Sequence, residues 1–72
     1  MSSMSERVLA MFNEWGKEEL DLHELFEAGG NDPAARTEVF DTVERLVNEG
    51  FLEERGNDFY ALTIEGKRLQ KQ

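Results

Sequence analysis

Val43-Glu44-Arg45-Leu46-Val47-Asn48-Glu49-Gly50-Phe51-Leu52 is the stretch on which the fold turns, because the spacing of its apolar residues changes within it. Val43, Leu46 and Val47 continue a three-and-four spacing that starts at Val39 and Phe40, and such a spacing stacks side chains on one face of a helix. Gly50 ends that period. Beyond it, Phe51-Leu52-Glu53-Glu54-Arg55 and Phe59-Tyr60-Ala61-Leu62 read as two short strands around the turn residues Gly56-Asn57-Asp58. The expectation is a helix over 33–49, burying Phe40, Val43 and Val47, followed by a β-hairpin over 51–62. If the turn spans the three middle residues, Leu52, Tyr60 and Leu62 face inward; a slip of one residue exchanges the faces.

Upstream, Asp32-Pro33 marks the start of that helix. Asp32 is the cap, and Pro33 stands at the first helical position, where its missing N–H is no loss. A local break near Arg36-Thr37 would move the effective start to Thr37. Before it, Gly29-Gly30 stops a short helix whose apolar stripe is Leu22, Leu25 and Phe26. Asp21 and Glu24 have the spacing of a capping box at its start, and Leu20-Asp21-Leu22 is a short extended piece. Ser3 and Glu6 repeat the capping pattern ahead of Val8, Leu9, Phe12 and Trp15, a first helix that ends at Gly16. At the other end Thr63 caps a last helical segment, Ile64 to Gln72, with a basic end of Lys67, Arg68 and Lys71.

At 72 residues and 8.3 kDa the chain has room for one domain over 1–72 and one small core. It has no cysteine and a single histidine, so neither disulfides nor a cysteine/histidine zinc site supplies a staple. The opening Met1-Ser2-Ser3-Met4-Ser5-Glu6-Arg7 has neither a basic lead nor an apolar core, and no long apolar run follows. A cytoplasmic location without membrane insertion is therefore expected. Sixteen acidic against eight basic residues leave a net charge of -8, an unfavourable field for approaching nucleic acid or an anionic membrane.

Three helices, a short extended piece between the first two, a hairpin and a capped tail: this α+β, mainly α order resembles the winged helix-turn-helix domain. Val43 to Leu52 is similar to the end of a recognition helix running into the first wing strand. Tyr60-Ala61-Leu62-Thr63-Ile64-Glu65-Gly66-Lys67-Arg68-Leu69 is similar to the wing-to-helix passage of bacterial and archaeal transcription regulators of the multiple-antibiotic-resistance and phenolic-acid-responsive families. The resemblance implies a third helix laid in the DNA major groove and a wing touching the phosphate backbone or minor groove beside it. On that basis Arg36, Thr37, Thr42 and Arg45 of the helix, with Arg55 and Asn57 of the wing, are the candidate DNA contacts. The charge runs against them. Over residues 33–60 three arginines face seven carboxylates, whereas DNA affinity is drawn largely from cations that displace counterions.

The alternative is a protein-interaction module, either with a different protein or as a homodimer. Seven aromatics in so small a chain make Met11, Trp15, Phe51 and Phe59 its candidate interface. Asp41 and Arg45, four residues apart, can instead pair on an ordinary solvated helix face, and Gly56-Asn57 can serve only the turn. A saline cytosol is a further account of the acidity. His23 and Glu27 have the spacing of two metal ligands, but an exposed histidine near a helix start explains it as well, and no metal, cofactor or small molecule is expected. Adjacent pairs such as Glu18-Glu19 and Glu53-Glu54 point apart, and no nucleophile constellation is present, so an enzyme is not expected. The function that follows is a non-catalytic binding module in a regulatory role.

Overall fold

The computed structural model describes residues 3–70. Helix α1 (Ser3–Glu14) buries Met4, Ser5, Val8, Leu9, Met11 and Phe12, the stripe set by its three-and-four spacing. Ser3 is already helical and therefore not the cap; the position before it lies outside the described residues. Strand β1 (Glu19–Asp21) leads straight into helix α2 (Leu22–Leu25), whose start is a complete capping box. Glu24 N donates to Asp21 Oδ1 at 2.7 Å, and Asp21 N donates to Glu24 Oε1 at 3.0 Å. A 3-10 turn (Phe26–Gly29) follows and closes at Gly30, whose N–H donates to Glu27 O and whose φ of 72° turns the chain so that the Asn31 N–H donates back to Phe26 O.

Asp32 caps the next element as expected, accepting from Ala34 N at 3.0 Å. The proline turn is a separate 3-10 segment (Pro33–Ala35), and helix α3 (Arg36–Asn48) begins only after it. The buried face of α3 is Val39, Thr42, Val43 and Leu46. Phe40 was expected among them and is 41% exposed. The reason is phase: at about 100° per residue Phe40 lies a quarter-turn off the line through Val39, Val43 and Leu46. Val47 is half-buried against the core edge.

Strands β2 (Leu52–Gly56) and β3 (Phe59–Leu62) form the hairpin, and β1 adds to its far side, giving an antiparallel sheet of order β1-β3-β2. The pairing of β1 with β3 was not foreseen from the sequence. Asn57 and Asp58 both take left-handed φ, 53° and 63°, the signature of a two-residue turn matched to strand twist. Such a turn alone would put Leu52 on the outer face. The register breaks between Glu54 and Gly56, leaving Arg55 as an extra residue, and this bulge returns Leu52 opposite Leu62 and Glu54 opposite Tyr60.

The core therefore joins α1 (Val8, Leu9, Phe12), β1 (Leu20), α2 (Leu25), α3 (Val39, Val43, Leu46) and the inner sheet face (Leu52, Tyr60). Helix α4 (Ile64–Gln70) is seated by Thr63, whose hydroxyl donates to Gly50 O at 2.6 Å and accepts from Gly66 N at 3.1 Å. Gly66 lies so close to the Phe51 carbonyl that a β-carbon there would collide with backbone. That contact ties the start of the hairpin to the last helix.

Candidate functional site

Helix α3 presents Thr37, Asp41, Glu44 and Asn48 on the side opposite its buried stripe, and all four are exposed. Phe40 flanks this face on one edge, and Glu38 and Arg45 flank it on the other. Beside it runs a groove of about 530 Å³ lined by Ala34, Thr37, Glu38, Asp41, Thr42 and Arg45. Glu38, Asp41 and Glu44 have no ion pair within the described residues.

Each arginine assigned to DNA has an intramolecular partner. Arg36, the first residue of α3, lies over the Phe26 ring with its guanidinium carbon 5.4 Å from the centroid. Arg45 points toward the start of α1, where Nη2 donates to Ser5 Oγ at 3.3 Å. Arg55, the bulged residue, has Nε 3.3 Å from Glu19 and Nη1 3.8 Å from Glu53. The sheet register explains this arrangement: Glu19 and Glu53 both stand opposite Ala61, from either side of β3, and a side chain as small as Ala61 leaves room for Arg55 to span them. Thr42 is 2% exposed and packs with the buried face of α3, meeting the outside only at the bottom of that groove. Thr37 is exposed on the outward face, and Asn57 is exposed at the turn, where its φ serves the hairpin.

The notch between α3 and the hairpin is acidic. Burial pushes the Tyr60 hydroxyl above its ordinary value of 10.0, and the carboxylates of Glu54, Glu44 and Asp58 push it further. These three groups come from β2, α3 and the turn respectively.

The aromatic candidates divide. Met11 is buried in α1, and Phe51 is half-buried against the core. Trp15 is 40% exposed, with the Lys17 ammonium 5.8 Å above its ring, and Phe59 is 36% exposed on the outer sheet face opposite Asp21. Phe40 joins the exposed set. A stricter phase count would have found it, since Val39 and not Phe40 lies in line with Val43 and Leu46. His23 meets Phe26 edge to face at 6.4 Å, and among the described residues no group of three or more histidine or carboxylate side chains is arranged to hold a metal. A second groove, about 420 Å³ with a floor of Ala10, Met11 and Ala28, separates α1 from the first 3-10 turn. No described helix is long and apolar enough to cross a membrane.

No protein-family model matches the chain, and no curated protein matches it. Among solved structures it is similar to the reduced form of MarR from E. coli, with a TM-score of 0.80 at 21% identity. The superposition takes in all of this chain and 50% of the MarR chain, so the chain spans half the length of that structure. Helices α1 to α3, the three-stranded antiparallel sheet and the short last helix, matched over their full extent, establish the winged-helix fold.

Proposed function

We propose that the chain is a non-catalytic winged-helix binding module with a regulatory role, meeting its partner through α3 and the β2–β3 hairpin. The observation that supports this reading is the superposition of the whole chain on MarR, which leaves no element of the fold unmatched. Duplex DNA is the partner the fold implies, with α3 in the major groove and the hairpin beside it. Thr37 would then contact base edges or phosphate directly. Arg36, Arg45, Arg55 and Asn57 would follow once the arginines turn from their present partners; for Arg55 that exchange is cheap, because exposed ion pairs are worth about 0–1 kcal/mol. One such module buries only about 600–1,000 Å² on DNA, so tight binding calls for a homodimer or a second contact.

The test is an isotope-labelled sample of the chain titrated with mixed-sequence duplex at low salt. If duplex DNA is the partner, backbone signals of Arg36, Thr37, Arg45 and Arg55 move together and return as salt is added. If α3 and the hairpin stay still while other elements respond, the assignment of the contact face is wrong. A second reading, a protein partner, is favoured by the acidic notch around Tyr60 and by the outward carboxylates Asp41 and Glu44.

A further inference from the structure

We propose that the outward face of α3, with the groove beside it, seats a basic segment of a protein that carries lysine or arginine together with an apolar residue. This rests on the reading of α3 as the partner-facing element, and it names that partner's chemistry. Asp41 and Glu44 stand three residues apart on the exposed face, with Glu38 at its edge, and none of the three has an ion pair within the described residues. Carboxylates at that spacing lie about 5–6 Å apart at their β-carbons, which suits successive cations of an extended or helical segment. Phe40, 41% exposed beside them, is an aromatic surface on which an apolar side chain or a cation can rest. The groove of about 530 Å³, lined by Ala34, Thr37, Glu38, Asp41, Thr42 and Arg45, has the dimensions to receive a side chain.

Phosphate is the wrong complement to this surface. Turning Arg55 outward leaves Glu19 and Glu53 uncompensated on the same sheet face, and turning Arg36 or Arg45 outward leaves Asp41 and Glu44 between them. Over residues 33–60 the seven carboxylates outnumber the three arginines whatever the rotamers. Like charges brought together across an interface select against a partner. A cationic segment meets the reverse condition: it neutralises carboxylates that have no ion pair, and no internal contact of α3 need break.

The experiment uses the full chain, isotope-labelled, with three probes: a helix-forming peptide of lysine, alanine and leucine, the same peptide with glutamate for lysine, and mixed-sequence duplex DNA. The expected result is movement of Thr37, Phe40, Asp41 and Glu44 with the lysine peptide alone, and affinity about tenfold weaker, equivalent to 1.4 kcal/mol, in the D41N/E44Q chain. Both substitutions are at exposed positions, and circular dichroism verifies that the variant is folded. Lysine-peptide binding that centres on the acidic residues of β1 and α2, or that survives D41N/E44Q undiminished, overturns the proposal. Duplex DNA moving α3 in a salt-sensitive way also overturns it, while upholding α3 as the contact element. Silence of both α3 and the hairpin toward all three probes overturns the proposal and the underlying reading together.

Discussion

The two faces of α3 are made from the same thirteen residues and obey different constraints. The inner face, Val39, Thr42, Val43 and Leu46, is buried against α1, the first 3-10 turn and β2, where any change in volume is felt by close-packed neighbours. The outer face, Thr37, Asp41, Glu44 and Asn48, touches solvent, and its composition is held by no packing at all. What the contrast teaches is that one helix can be fixed by packing on one side and left open in composition on the other. The inner side would suit almost any winged helix. The outer side carries Asp41 and Glu44, which have no ion pair among the described residues.

The sharpest way to break that contrast is Leu46→Ala, which opens a void at a fully buried position and should cost about 2–5 kcal/mol. For a chain of this size, with total stability of about 0.05–0.15 kcal/mol per residue, much of the folded population is lost, as urea unfolding would show. A smaller loss means that the inner face relaxes more than its burial implies. Gly66→Ala comes next, at about 1–3 kcal/mol, because the added methyl meets the Phe51 backbone carbonyl and not a movable side chain. Thermal melting reads it, and an unchanged midpoint would show that α4 can shift away from the hairpin.

Intermediate effects come from titration. Tyr60 sits where the inner face meets the outer, and its raised hydroxyl means that the folded state holds this proton more tightly than the unfolded chain. Its contribution is complete below pH 10.0 and is lost as the pH rises through the higher folded value. Tyr60→Phe should therefore flatten the alkaline limb of a stability profile; an unaltered limb would mean that neither burial nor the carboxylates of Glu54, Glu44 and Asp58 hold that proton. Glu24 has the opposite sign. The Lys17 ammonium at 2.9 Å, and then the Asp21 N–H, hold its carboxyl below the ordinary 4.5. That contribution is present above 4.5 and disappears as the pH falls through the lower folded value. Glu24→Gln keeps a capping acceptor and should remove this acid limb, an effect of no more than about 1 kcal/mol for so exposed a pair.

The smallest effect is expected on the outer face: D41N/E44Q should leave stability within about 0.5 kcal/mol of the parent chain. A larger change in either direction would show that the outer carboxylates are coupled to the fold, and the two faces would no longer be separable.

Much of the architecture was legible because its signals are local. The Asp21/Glu24 capping box, the Gly29-Gly30 stop, the Asp32-Pro33 start and the Thr63 cap each act through hydrogen bonds within a few residues, so spacing alone reveals them. The candidate site was less legible. Arg36, Arg45 and Arg55 carry the chemistry expected of DNA contacts, but where a long side chain points depends on Phe26, Ser5 and Glu19, which are distant along the chain or in the sheet. Thr42 and Phe40 changed places for a related reason, since the core is chosen by the phase of Val39, Val43 and Leu46 and not by side-chain size.

From the amino-acid order alone come the helices, their caps, the hairpin and the excess of negative charge, because short-range hydrogen bonding and composition carry that information. Tertiary structure decided the rest. It brought β1 onto β3, placed the Arg55 bulge so that Leu52 turned inward, and gave each of the three arginines an internal partner. These are contacts between residues far apart in sequence, and no spacing rule encodes which distant side chain a given cation will meet.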